Sequence, residues 1–313
     1  MELIERYKNW LKARQYSEAS IRTYALRVGS FLKIHPKPQD LNQTDIQDYL
    51  VSLLDRGLSR TSLEGCFCAI KNFYDFLNSM GDFKAPELSN PVKNLLPVKR
   101  EKRIPKIIPT DNLSALLRSP DLKELRGCRD YVIMLFLLHG LRASEICKLD
   151  LDDVFTDGWG PSRQMVINVK GKNRKERRVV VEKSGDTEWA WDRYRSMRNG
   201  DGSDIAFPAI VGPGGKTMNR MSTNGLYRML ARYGARLGID NVHPHLWRHT
   251  AAVALLEAGV PLKEIQFILG HESVQTTERY LGAAKTQQAE ASGCGWIHRL
   301  KKADARFRRW RRN

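Results

Sequence analysis

No run of apolar residues in this chain approaches the roughly 20 needed to cross a bilayer, and the longest, Tyr131 to Leu138, has the length of a buried helix. The opening "MELIERYKNW" carries acids and lacks the apolar stretch and cleavage site of a secretory leader. No membrane partner and a cytoplasmic protein are the expectation. Cysteine is scarce, and Cys66, Cys68, Cys128, Cys147 and Cys294 form no CxxC pair and are odd in number. That pattern fits reduced, structural thiols rather than a disulfide framework. There is no internal repeat, no P-loop and no dinucleotide fingerprint, so no nucleotide cofactor is expected. Acids are also in deficit, with 35 Asp and Glu against 52 Lys and Arg.

That deficit gives a net charge of +17, a field that attracts polyanions. Nucleic acid is the leading partner, with an anionic membrane surface or a merely basic soluble protein as the bland alternatives. An apolar fraction of 42% over 313 residues supports a packed core and favours two domains over one. The first hundred residues read as four amphipathic helices. Leu3, Ile4, Tyr7, Trp10 and Leu11 share one helical face, and Ile21, Tyr24, Val28, Phe31 and Leu32 repeat the pattern after an N-cap at Ser17. A third helix opens with the capping-box pattern Thr44-Asp-Ile-Gln47 and stops near Gly57. The fourth runs from about Arg60 to Met80, with Leu63, Phe67, Ile70, Phe73 and Leu77 inward. Residues 86–109 then hold five prolines and the basic run Lys99-Arg-Glu-Lys-Arg103, the composition of a linker.

Beyond Thr110 the patterns are mixed. "QMVINVK" and "ERRVVVE", either side of "GKNRK", read as a β-hairpin, and helices resume near Thr187, Ser222, His245 and Pro261. The tail "HRLKKADARFRRWRRN" sets eight Lys and Arg against one acid, with Leu300, Phe307 and Trp310 interleaved. It is either a basic amphipathic helix against a neighbour or DNA, or a solvated end.

The chemistry concentrates in "HPHLWRHT". His243, His245 and His249 are spaced like zinc ligands, but no Cys or carboxylate follows at ligand spacing and Arg248 shares a helical face with His245. A guanidinium there would repel a divalent cation, yet it suits a phosphate, to which it donates parallel hydrogen bonds. No metal is expected, and His243 and His249 are read as structural. In "HGLRASE", Arg142 follows a buried helix with Glu145 three residues on, so Glu145 would hold Arg142 toward a ligand or simply form a salt bridge with it. "ILGHESVQTTERYLG" places His271 after a helix-ending glycine and Tyr280 nine residues later.

In this order, Arg142, a hairpin lysine, His245-x-x-Arg248, Leu269-Gly270-His271 and Tyr280 resemble the tyrosine recombinases, the phage-integrase and Xer-type site-specific recombinases of DNA. The motifs cover about residues 110–282, and the helices before them match by architecture only. The resemblance implies a mainly α protein with a small β-sheet. Residues 1–97 would form a helical, SAM-like core-binding domain, 98–109 a basic linker, 110–285 the α+β catalytic domain, and 286–313 a tail exchanged between protomers. Arg142 and Arg248 would stabilise charge on the phosphate, and His271 would add a hydrogen bond. Tyr280 would attack to give a 3′-phosphotyrosine, with His245 as general base. The lysine that protonates the leaving oxygen is matched to Lys172, with Lys170 and Lys175 as the other candidates. The site uses no metal and no other cofactor. The partners implied are duplex DNA with paired inverted half-sites and a homotetramer that passes through a Holliday junction, in a cytoplasmic, nucleoid-associated protein. The reaction would integrate, excise or resolve a mobile element or a chromosome or plasmid dimer.

DNA contacts are expected from Arg22, Arg27, Arg60, Lys71, Lys99, Arg100, Arg220 and Arg228. Trp247 departs from the leucine usual in the family. Alternatives are a type IB topoisomerase-like relaxing enzyme and a non-cleaving DNA-binding regulator. A metal nuclease would need convergent carboxylates, whereas Asp150, Asp152 and Asp153 read as turn and cap residues.

Overall fold

The computed structural model describes residues 2–80, 91–92, 95, 105–158, 164–170, 176–181, 186–198, 200, 202–211, 216–270, 277–278 and 280–281. The chain divides into two units, Met1–Lys102 and Arg103–Asn313. Of the expected linker and tail, residues 98–104 and 286–313 lie outside the described residues.

The first unit is built from α1 (Glu2–Ala13), α2 (Glu18–Ile34), α3 (Gln43–Asp55) and α4 (Arg60–Ser79). Their apolar stripes converge on a core that includes Tyr7, Leu11, Val28, Phe31, Ile46, Phe67, Ile70 and Phe73. Burying such side chains contributes about 1.5–3 kcal/mol each. Leu3, Ile4, Trp10, Tyr24 and Leu32, expected on the same stripes, are only partly buried and pack around that core. The buried Tyr7 hydroxyl donates to Asn72 Oδ1 at 2.7 Å, so its polar end is not stranded. Ser17 caps α2, its oxygen accepting the Ser20 N–H at 3.2 Å.

The start of α3 departs from expectation. Asn42, not Thr44, is its cap, accepting from the N–H groups of Thr44 and Asp45, while the Asp45 carboxylate accepts from the Asn42 N–H. The reason is chemical: asparagine caps better than threonine, and here an acid three residues on completes the reciprocal pair.

The second unit holds α5 (Thr110–Arg118), α6 (Leu125–Leu138), α7 (Ala143–Ile146), α8 (Asp186–Arg198), α9 (Thr223–Arg236), α10 (Pro244–Glu257) and α11 (Leu262–Leu269). Every residue of α6 from Gly127 to Leu137 is buried, and α8 and α10 pack against it. Gly127 is required there, because a Cβ would lie 1.8 Å from the Asp121 carbonyl oxygen. The expected hairpin is present as β2 (Gln164–Lys170) and β3 (Glu176–Val180). A third strand, β1 (Val154–Asp157), extends it into an antiparallel sheet of order β1-β2-β3, and β4 (Pro208–Val211) pairs with β5 (Lys216–Arg220) in a second ribbon. Asp150 and Asp153 form the cap of a short 3-10 turn before β1. Among the described residues no helix is long and apolar enough to cross a membrane.

Buried charge ties three elements of this unit together. Asp130 of α6, fully buried, accepts two bonds from Arg129, at 3.0 and 2.6 Å, and one from the Tyr233 hydroxyl of α9 at 3.1 Å. Arg129 also donates to the Pro208 carbonyl at the start of β4, at 2.9 Å. Cys66, Cys68, Cys128 and Cys147 are free thiols, and burial pushes Cys147 up to about 11, so it is inert as a nucleophile.

Candidate active site

An α-helix ends in carbonyls that lack a partner within the helix, and its dipole makes that end partly negative. In α11 the Gly270 N–H turns back to Gln266 and Phe267, which leaves the carbonyls of residues 268 to 270 to other donors. Three guanidiniums take them. Arg177 Nε donates to the Ile268 carbonyl at 3.1 Å, Arg248 Nη2 to that of Leu269, and Arg142 Nη2 to that of Gly270 at 2.6 Å. Gly270 is left-handed, with φ +62°, and a Cβ there would press on the Arg177 guanidinium at 3.1 Å. Glycine is the residue that fits both demands.

Each arginine arrives from a different element. Arg142 is the N-cap of α7. Just before it, Gly140 adopts φ +82°, and its carbonyl accepts from Arg248 Nη1. Arg248 lies in the second turn of α10. Arg177 comes from β3, where alternation buries Val179 and turns Arg177 to the same side, with Glu176, Arg178 and Val180 outward.

Glu145 is the counter-ion. Its two oxygens accept from Arg177 Nη1 and Nη2 at 2.8 and 2.9 Å, from Arg142 Nη1 at 2.7 Å and from the Arg142 N–H at 2.7 Å. Burial of this carboxyl would raise its pKa, but the bonds from Arg177 and then Arg142 hold it below the ordinary range. Burial, and then the charge of Arg142, bring the Arg248 guanidinium, 4% exposed, down to about 10. It therefore remains cationic at neutral pH. Three cations and one carboxylate leave two net positive charges at one helix end.

The histidines separate into different jobs. His243 is the N-cap of α10, its Nδ1 accepting the Leu246 N–H at 3.2 Å, with Pro244 at the favoured first position. His245 is exposed. Desolvation, followed by His243, Arg248 and Arg142, disfavours its charged form. His249, read from sequence as structural, instead meets the hydroxyl of Tyr280: its Nδ1 lies 2.9 Å from that oxygen. Tyr280 itself is 3% exposed and packs with Ala252, Val253, Ile265 and Leu269. Its hydroxyl reaches His249, the residue that follows Arg248 in α10.

So the structure brings Arg142, Arg248, His245 and Tyr280 into one neighbourhood and adds Glu145, Arg177 and His249. Lys172 and His271 lie outside the described residues, as do Lys99 and Arg100. Lys170, at the end of β2, forms an ion pair with Asp153 at 3.0 Å. Of the expected DNA contacts, Arg22, Arg60 and Lys71 are exposed on the first unit, and Arg228 is exposed on α9. Arg27 is half-buried, lying over Gly65 of α4. Arg220 is different. It donates to the carbonyls of Cys147 and Leu149 and to Asp150 Oδ1, so its guanidinium braces β5 against the segment before β1. Among the described residues no three His, Cys, Asp or Glu gather as metal ligands. Trp247 is fully buried in the core of the second unit, and its indole Nε1 has no hydrogen-bond partner among the described residues.

Comparison with known proteins finds relatives along most of the chain. Residues 106–287 match the model of the phage integrase family, and residues 4–81 match that of the phage integrase N-terminal SAM-like domain. The tyrosine recombinase XerC of Escherichia coli O127:H6 (strain E2348/69) is 29% identical over 289 residues, covering 88% of this chain and 90% of that protein. Among solved structures, XerH recombinase in a post-cleavage complex with a palindromic difH substrate superposes with a TM-score of 0.71 at 22% identity, over 90% of this chain and 81% of that one. A lambda integrase tetramer bound to a Holliday junction gives 0.65 at 16% identity, over 89% and 76%.

Proposed function

The chain belongs to the phage integrase family of tyrosine recombinases, which cleave and rejoin DNA, and we propose that it exchanges strands between specific sites through a 3′-phosphotyrosine on Tyr280. The observation that carries this reading is the group of guanidiniums gathered at the end of α11, the helix whose Ile265 and Leu269 pack against Tyr280. A phosphodiester has one negative charge, and in-line attack places more on its non-bridging oxygens. Arg142 and Arg248, already oriented by carbonyls, would meet that charge with little reorganisation, which is the property that makes an electrostatic site catalytic. Arg177 and Glu145 hold them.

In this scheme the Tyr280 oxygen attacks phosphorus and the 5′-oxygen leaves, protonated by Lys172 with His271 as a further donor. The bond energy is kept in the phosphotyrosine, so rejoining needs neither ATP nor metal. Because Tyr280 is buried, its segment has to turn toward the arginines when DNA is bound. We propose the remaining organisation on the same footing. Residues 1–97 bind the duplex as a core-binding domain, 110–285 carry the chemistry, the linker 98–109 follows the backbone, and the tail 286–313 is exchanged between protomers. Four copies would act on two sites with inverted half-sites. The test is an SDS-stable protein–DNA band on a nicked suicide substrate carrying the protein's own site. Tyr280→Phe is expected to bind that DNA and give no band, and an undiminished band would refute the assignment.

A further inference from the structure

The resemblance to the recombinases assigns no role to Arg177, yet this guanidinium touches both groups that aim Arg142. The Arg142 side chain has two partners among the described residues, Glu145 Oε1 at 2.7 Å and the Gly270 carbonyl at 2.6 Å. Arg177 forks onto both oxygens of Glu145, at 2.8 and 2.9 Å, and lies against Gly270, where an added Cβ would stand 3.1 Å from its Nη1. Its own place is fixed twice over. Nε donates to the Ile268 carbonyl at 3.1 Å, and its backbone pairs with Val169 within the β2–β3 ladder. A carboxylate carries one unit of negative charge. Shared between two guanidiniums, it cancels only part of Arg142. Left to Arg142 alone it would cancel all of it, and in a residue 5% exposed water screens that pull poorly.

We infer that Arg177 is a positioning residue for the phosphate clamp: by engaging both oxygens of Glu145 it keeps that carboxylate from neutralising Arg142, which stays aimed and charged for the scissile phosphate. This rests on the reading of Arg142 as a phosphate ligand and of Tyr280 as the nucleophile. Charge carries the first half of the argument. Arg142, Arg177 and Arg248 against Glu145 leave two net positive charges, and without Arg177 one remains. Attack on a phosphodiester builds further negative charge on the non-bridging oxygens, so the deficit falls on the transition state, where preorganised charge matters most. Geometry works in the same direction. With Arg177 gone, Glu145 Oε2, which already accepts the Arg142 N–H at 2.7 Å, is open to the Arg142 guanidinium as well. A bidentate pair with the carboxylate would draw Nη2 from the Gly270 carbonyl that now directs it.

The test pairs substitution at 177 with a change of charge, first at residue 145 and then on the DNA. At saturating DNA, Arg177→Met is expected to slow covalent-complex formation about 10²-fold, the scale of a reacting group misplaced by about 1 Å. Adding Glu145→Gln removes the carboxylate that the first substitution sets free and returns the cluster to two positive charges. The double variant should recover at least about 10-fold of the loss. A methylphosphonate at the scissile position gives the second readout, because methyl replaces one non-bridging oxygen and the attacked group starts neutral. On that substrate Arg177→Met should cleave within about 3-fold of the unsubstituted protein. A strut that only held the fold would slow both substrates alike, and removing its partner as well would recover nothing. Should Arg177→Met fail to bind DNA, Arg177→Lys, which keeps a cation but not the fork, is expected to lose about 10-fold on the phosphodiester alone. Normal phosphodiester cleavage by Arg177→Met, an equal loss on both substrates, or a double variant without recovery each overturns the inference. Tyr280→Phe and Arg142→Ala test the reading beneath it. A covalent band that survives the first sinks the nucleophile, and normal cleavage by the second sinks the clamp. Loss in both alongside normal cleavage by Arg177→Met sinks only the positioning role.

Discussion

Glu145→Ala removes one carboxylate that answers two guanidiniums. In the folded protein its oxygens receive four bonds, two from Arg177, one from the Arg142 side chain and one from the Arg142 backbone. Both oxygens sit in a residue only 5% exposed, so water cannot replace them freely. Arg177, with its side chain 10% exposed, would be left with one carbonyl partner among the described residues, close to two other cations. Deleting one partner of a buried pair costs about 3–5 kcal/mol, because the remaining charge is stranded. In a unit of this size that corresponds to a fall in Tm of about 6–20 °C. Urea unfolding at neutral pH checks it directly, and a loss under about 1 kcal/mol would refute the view that Glu145 holds the cluster. Two further readings follow from the same physics. Adding Arg177→Met to Glu145→Ala removes the stranded charge, so the double variant should be more stable than the sum of the single losses implies. The pKa of Glu145 is lowered on folding, so its contribution is complete above the ordinary 4.5 and is lost as pH falls through the lower folded value. A variant whose deficit stayed constant across that acid range would contradict the charge argument.

Arg142→Ala and Arg248→Ala are each expected to lower cleavage by at least ~10²-fold, the scale of one lost transition-state donor, in single-turnover assays at saturating DNA. Asp130→Ala strands Arg129, which is 4% exposed, and should cost about 3–5 kcal/mol in urea unfolding while leaving the cleavage chemistry of folded protein unchanged. Burial pushes His139 down to about 4, and its Nε2 meets the Thr187 hydroxyl at 3.1 Å. A depressed histidine stabilises the fold in full above 6.5 and progressively less as pH falls toward about 4. Up to about 3 kcal/mol is at stake, and a His139→Asn variant should lack that slope.

The four helices of the first unit were legible because each carries an apolar stripe at helical spacing, and Ser17 announced one cap correctly. Thr44 begins a capping-box pattern, yet the cap is Asn42, because the Asp45 carboxylate accepts the Asn42 N–H and closes the reciprocal pair there. β1 was missed because "VFTD" offers four residues and one outward pair, too little alternation to separate a strand from a turn. Its partner β2 gives it meaning, through the register Val154↔Ile167. Arg142 and Glu145 were legible as a pair from their spacing. Arg177 was not, since "ERRVVVE" presents two adjacent arginines. The available signal was period two: counting back from the buried Val179 selects Arg177 for the inner side and leaves Arg178 to an exposed pairing with Asp157 at 3.7 Å. His249 shows the opposite limit. No local pattern links it to a tyrosine 31 residues away, and only tertiary packing does.

The choice of partners at the arginines has its own logic. Carboxylates could orient a guanidinium, but each one would cancel a charge that a phosphate site needs. Carbonyls at a helix end orient it with dipoles and leave the formal charge in place. Of the five N–H donors on a guanidinium, Arg177 commits three, to Ile268 and both oxygens of Glu145. Arg142 commits two, one to Glu145 and one to Gly270, and Arg248 commits two, to Gly140 and Leu269. Of the three side-chain bonds to Glu145 two come from Arg177, the strut, while Arg142 is aimed by one carboxylate oxygen and one carbonyl, and Arg248 by carbonyls alone; among the described residues both keep more donors than they use. A Glu145 substitution should therefore act first on stability, and an Arg142 substitution first on chemistry, which is the division that unfolding and cleavage measured on the same variants would expose.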